Sequence, residues 1–486
     1  MRTGKTKVLV DDFGRLEKVG EVSDLLVIVP ASIVQNWIDD IRNHVSPDLL
    51  ARLRMHAWRA SATSSSSKRF ERAFLDEVAG PRIMIVNVEA LSSVQRAKDA
   101  CLSFLSKRPG KRMVAVDEST TIKSVDSARG KFVVHELAKY SDYRRILSGL
   151  PTPRSPLDLF GQFTFLDPSI LGFHNYKSFE ARYAVIEQVC MIPSAVLAAR
   201  LNRFGVDTNN MPRQMMIGEL KRRGSYVQTI PQLKSYRNEE ELRDKIAPHS
   251  YRCLLSDCYD VPAKLYSFRD VEMTTEQEKV YKELKKVATA ELENMTYVTA
   301  THVVVKILRL HQVLCGHVAN EVGDVVPIPE NRTKEVLSIL REYDGKAIIW
   351  TSYDYNVRGV AEAIAKEFGD GSVARFWGGN RSTRDEEEYR FKTDPECRFM
   401  VATQSAGGRG KMWAMANLLV YFSSTNNLEH RSQSEERGDA NLKEDRVAVI
   451  DLRVTGTVDE AIIEALREKI DMASTITGDN WKEWLV

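Results

Sequence analysis

Short apolar runs rich in β-branched residues recur along this chain, bounded by polar turns and separated by helical stretches. Four lie near the start: LLVIVP (25–30), RIMIVN (82–87), RMVAVDE (112–118) and RRILSG (144–149). Five more close the chain: KAIIWTS (346–352), VARFWGG (373–379), RFMVATQ (398–404), LLVYFSS (418–424) and RVAVIDL (446–452). A run that is apolar at successive positions belongs to a strand buried on both faces, and such strands are parallel with helices on either side. The pattern predicts an α/β chain with two doubly wound parallel-sheet lobes. The stretch between them carries few strand signals and many helical ones, so a helical insert and linker is expected there. The domain boundaries expected are 1–168 for lobe one, 169–335 for the insert and linker, and 336–486 for lobe two with a C-terminal helix.

Inside the middle stretch, TEQEKVYKELKKVATAELENM predicts a helix opened by a capping box of Thr275 and Glu278. The segment ELKRRGSYVQTIPQLKSYR (219–237) is basic with aromatics. It reads as a solvated helical surface or as a phosphate-contacting one. SATSSSSK (61–68) reads as a polar surface loop. A second capping box, Thr457 and Glu460, opens a last helix through Ile462, Leu466 and Ile470, expected to pack on the second sheet.

The chain's 486 residues carry a formal net charge of only +2, so any surface for a polyanion must be local. Its six cysteines are scattered, which favours reduced thiols and a cytoplasmic setting. Cys253-x4-Cys258 and the His311, Cys315, His317 group fit no usual zinc-finger spacing. No run of 18 apolar residues is present, so no membrane association is expected.

Chemistry gathers at the strand ends. Gly4-Lys5-Thr6 at the head of a helix offers what a nucleotide phosphate needs: backbone N–H groups, an ammonium, and a hydroxyl for Mg²⁺. MVAVDESTTIKS ends a strand in two adjacent carboxylates, placed where open α/β sheets bind ligands. Asp117 can hold Mg²⁺ through water, and Glu118 can orient or deprotonate an attacking water. Gln433 and Arg437 are four apart and share a helix face, so the guanidinium can meet a γ-phosphate. Gly407, Gly408 and Gly410 follow a strand and allow close backbone approach.

In this order the set resembles the superfamily-two helicases, specifically the Swi/Snf-type DNA translocases. DESTTIKS and SGLPTPRSPLDLFGQFTFLDP are most similar to phage and bacterial members. The resemblance implies RecA-like lobes, ATP and Mg²⁺ as cofactors, and double-stranded DNA as partner, held through phosphates without sequence preference. It assigns Thr3, Gly4, Lys5, Thr6, Asp117, Gly408 and Gly410 to the nucleotide, with Thr6 and Asp117 on the metal. Glu118, Gln433 and Arg437 take the catalytic roles. Pro30, Ser32, Trp37, Asn87, Thr351, Ser352, Thr403 and Gly407 fall near the DNA track. Ser148 and Gly149 match the motif that couples ATP to DNA.

Three departures stand against the pattern. The family's strand ahead of the phosphate loop has no counterpart here, so Met1 is expected to be an internal residue of a longer reading frame. Position 150 is leucine where the coupling motif usually has threonine. Position 440 is alanine where a second arginine is usual. Two readings follow: an ATP-dependent DNA translocase, or a catalytically impaired DNA-binding or assembly module.

Overall fold

The computed structural model describes residues 3–60, 64–77, 79–190, 192, 194–209, 211–225, 227, 229–253, 255–258, 262, 264–294, 300–319, 324–407, 413–438 and 446–477. Five strands open the chain: β1 (Asp24–Val29), β2 (Arg54–Ala57), β3 (Arg82–Asn87), β4 (Arg112–Asp117) and β5 (Tyr143–Leu147). They form one parallel sheet in the order β2-β3-β1-β4-β5. Leu25, Val27 and Val29 of β1 pack into one core with Phe13 of the helix Lys5–Lys18 and Ile41 of the helix Val34–His44. Leu26 and Ile28 face the opposite core, with Val114, Val116 and Phe104. Burial on both faces is why these strands are apolar at every position.

Register in this sheet is fixed by a buried ion pair. Asp24 and Arg82 lie opposite each other at the starts of β1 and β3. The guanidinium donates Nε to Oδ1 at 3.0 Å and Nη2 to Oδ2 at 2.8 Å, and also donates to the Phe74 and Leu75 carbonyls. Both ions are fully enclosed, so the extra carbonyl bonds are needed to offset desolvation.

The middle stretch holds more strand than expected. β6 (Ala184–Cys190) and β7 (Thr229–Tyr236) pair antiparallel and bracket the helices Ser194–Asn202 and Arg213–Arg222. The basic 219–237 segment is thus helical only to Arg222 and then runs as strand. Its β-formers Thr229, Ile230 and Tyr236 favour extended chain. Next comes β8 (Leu265–Asp270), followed by the helices Thr275–Asn294 and Ala300–Leu314 and the short pair β9 (His317–Ala319) and β10 (Val325–Pro327). The capping box of Thr275–Asn294 sits one residue earlier than expected. The Thr274 hydroxyl accepts from the Gln277 N–H at 3.2 Å, and the Gln277 side chain accepts from the Thr274 N–H at 3.1 Å. Within SATSSSSK, Ser64 caps a helix, Ser65–Asp76, so the serines there begin an element rather than fill a loop.

The second sheet joins β11 (Lys346–Thr351), β12 (Val373–Phe376), β13 (Phe399–Thr403), β14 (Ala416–Tyr421) and β15 (Ala448–Arg453). Its order is β12-β13-β11-β14-β15-β8, parallel throughout. The structure therefore has two doubly wound parallel-sheet lobes, and β8, from within 169–335, completes the second. The last helix, Val458–Thr477, does not simply cover that sheet. Its Ile462, Leu466 and Ile470 gather with Leu428 around Leu150 of lobe one.

Candidate nucleotide-binding cleft

Gly4 stands at φ 79° and ψ 24°, just ahead of the helix Lys5–Lys18. This left-handed conformation suits glycine, and a Cβ there would meet nothing within 4 Å. Lys5 and Thr6, the first residues of the helix, are half-buried. Lys5 Nζ lies 3.7 Å from Glu118 Oε1. Glu118 itself has φ 47°, one of two non-glycine residues with positive φ among the described residues. Such a conformation costs on the order of 1–2 kcal/mol and turns the carboxylate back toward the phosphate loop.

Asp117, the last residue of β4, is held on both oxygens. Trp37 Nε1 donates to Oδ2 at 2.8 Å, and the Glu118 backbone N–H donates to Oδ1 at 2.9 Å. Each oxygen keeps a lone pair for a metal or its water. Ser119 donates to Gln162 Oε1 at 2.6 Å, and Gln162 Nε2 donates to the carbonyls of Pro151 and Asp158. Gln162 thereby ties the carboxylate pair to the loop that carries Ser148, Gly149 and Leu150.

Charge at the cleft is strongly coupled. Burial pushes the Glu118 carboxyl up, the Lys5 ammonium pulls it back, and Asp117, Glu429 and Glu436 push it further up, for a net rise. Burial works to lower the Lys5 pKa, but Glu118, Asp117 and Glu436 outweigh it and leave it raised. Glu429 and Glu436 belong to lobe two, so the segment bearing Gln433 and Arg437 lies within electrostatic reach of Lys5 and Glu118.

Its helix is Leu428–Glu435, capped by Asn427, whose side chain accepts from the Glu429 and His430 N–H groups; Arg437 falls in the turn after the helix, so it does not share a helix face with Gln433 as expected. Gln433 is buried; its Nε2 donates to Glu429 Oε1 at 3.4 Å, while its Oε1 finds no partner among the described residues. Arg437 Nε donates to the Gln433 carbonyl at 2.8 Å. Arg431, which the sequence reading passed over, anchors the helix. It pairs with Asp451 of β15 and with Glu435, and lies 3.5 Å over the Tyr421 ring.

The residues expected along a DNA track divide. Ser32 is exposed, while Asn87 and Ser352 are half-buried. Asn87 Nδ2 donates to Glu89 Oε2 at 3.5 Å, and the Ser352 N–H donates to Ser423 Oγ at 2.9 Å. Pro30, Thr351, Thr403 and Gly407 are buried. Trp37 is corrected: its side chain is buried on Asp117, so it positions a carboxylate and does not face a ligand outside. Gly407 answers to packing, since a Cβ there would lie 2.8 Å from the Trp350 and Trp413 rings. Thr3 is half-buried next to Gly4. Gly408, Gly410 and Ala440 lie outside the described residues.

The SNF2-related domain matches residues 8–318. An uncharacterized ATP-dependent helicase, YqhH of Bacillus subtilis, is 20% identical over 95% of this chain and 72% of its own length. The human SWI/SNF-related matrix-associated actin-dependent regulator of chromatin subfamily A containing DEAD/H box 1 is 22% identical over 99% of this chain and 47% of its own length. Among solved structures, the Sulfolobus solfataricus SWI2/SNF2 ATPase core in complex with dsDNA is 19% identical. It covers 100% of this chain and 89% of that one, with a TM-score of 0.36. Among the described residues, no helix is long and apolar enough to cross a membrane.

Proposed function

The chain belongs to the SNF2-related domain family, a group of helicase-like ATPase cores, and on that premise we propose that it is a DNA-dependent ATPase that translocates on duplex DNA. The observation that carries this reading is the convergence of Lys5, Asp117 and Glu118 on one wall of a cleft whose other wall is the Gln433–Arg437 segment. The donor set suits a nucleotide with Mg²⁺: an ammonium, a hydroxyl, two carboxylates and a buried amide oxygen without a partner among the described residues. Bound MgATP supplies an electrophilic γ-phosphorus and the negative charge that the protein must hold.

The roles then follow from position. Lys5 would bind phosphate oxygens, and Thr6 and Asp117 would hold the metal. Glu118 orients the attacking water and accepts its proton; its raised pKa makes it a better base than an ordinary glutamate. Gln433 offers its free amide oxygen to that water, and Arg437 neutralises charge on the transferring group. DNA contact is to phosphates across both lobes, so it is independent of sequence. The working compartment is the cytoplasm, which suits the free thiols.

Two features favour a second reading, a DNA-binding module with weak turnover. Glu429 and Glu436 add negative charge where phosphate must enter, and Leu150 cannot offer a hydroxyl. Phosphate release measured with and without linear duplex decides between them. Stimulation by duplex, lost by ~10²-fold or more in Glu118→Gln, supports the ATPase. Duplex binding with no release in the wild type supports the module.

A further inference from the structure

Leu150 is 2% exposed, although it sits in a loop at the rim of the cleft. Among the described residues, it clusters with Leu428, Ile462, Leu466 and Ile470, all of lobe two. The last three recur at intervals of four and so form one face of the helix Val458–Thr477. Leu428 opens the helix that bears Gln433. On the other side, the Leu150 N–H is fixed to Ser148 Oγ at 3.1 Å, and the loop is tied through Gln162 to Ser119, next to Glu118. One apolar contact therefore touches both walls of the cleft.

Asp117 and Glu118 feel the charge of Glu429 and Glu436 across the cleft, while Lys5 attracts Glu436 and Lys123 attracts Glu429. We propose that Leu150 is the lobe-one half of an apolar latch that holds the lobes closed before nucleotide or DNA arrives. Leucine at position 150 thus converts the loop from a polar coupling element into a holding element. The lobes approach one another through buried apolar surface, and closure no longer depends on ligand. This proposal concerns the free chain and does not rest on its turning over ATP.

Small-angle X-ray scattering of the full chain without nucleotide tests it. The wild type should scatter as one closed particle. Leu150→Asp should raise the radius of gyration, because a carboxylate in the apolar cluster lowers the closed population by roughly tenfold or more. Leu466→Asp should do the same from the other side, and Leu150→Met should match the wild type. Far-UV circular dichroism shows whether each variant is folded. A wild-type curve already typical of separated lobes, or folded Asp variants with a wild-type curve, overturns the latch. If the Asp variants do not fold, Leu150→Thr reads the same quantity: a smaller rise is expected, and an unchanged curve overturns the proposal.

Discussion

Trp37 shows how a single side chain can serve a site from a distance. Its indole N–H reaches Asp117 across 80 residues of sequence and fixes the carboxylate from inside the lobe. Partners that orient a metal-binding group commonly account for ~10–100-fold in affinity or activity. Trp37→Phe keeps the apolar ring and removes only the donor. It should therefore weaken Mg²⁺-dependent phosphate release by ~10–100-fold while leaving the unfolding midpoint nearly unchanged. A midpoint that drops with full activity retained would make Trp37 a packing residue alone. Lys5, Asp117 and Glu118 were legible in the sequence because their chemistry is local: a glycine turn at a helix start, and two acids at a strand end. The Trp37–Asp117 bond and the Gln162 bridge were not, because nothing in a local stretch marks a hydrogen bond that the tertiary fold creates.

At the scale of elements, legibility followed burial. β1, β3, β4, β11, β13 and β14 are enclosed on both faces and are continuous apolar runs in the sequence. β2 is four residues long and half-exposed, and β6 carries an exposed middle, so neither stands out from its surroundings. Glycine positions divide the same way. In the helix Leu159–Leu166, a Cβ at Gly161 would lie 2.5 Å from the Ile122 carbonyl oxygen and 2.6 Å from that of Lys123. The helix is thus pressed onto the backbone that follows Glu118. Gly161→Ala should lower stability by ~1–3 kcal/mol through overpacking. Gly218, in the helix Arg213–Arg222, has open space around its Cβ position, and Gly218→Ala should gain ~0.5–1 kcal/mol. Urea unfolding of the two variants checks both signs; equal shifts would show that contact at Gly161 is not what matters.

For the whole molecule, the proposed function needs both lobes to make one site. In that reading lobe one brings the phosphate loop and the carboxylates, and lobe two brings Gln433 on a helix anchored by Arg431 to Asp451, with Arg437 in the turn that follows it. Two doubly wound lobes were readable from strand rhythm alone, but the contact between them was not. The last helix looked like a cover for the second sheet, and its spacing of Ile462, Leu466 and Ile470 carries no label for the Leu150 it meets. The shared cleft is tested most directly by steady-state phosphate release at saturating duplex DNA for the wild type, Lys5→Ala and Arg437→Ala. Loss of ~10²-fold or more in both variants is predicted, since one removes the phosphate-binding ammonium and the other the charge supplied from across the cleft. Wild-type turnover in Arg437→Ala beside a silent Lys5→Ala would confine the chemistry to one lobe and contradict the account.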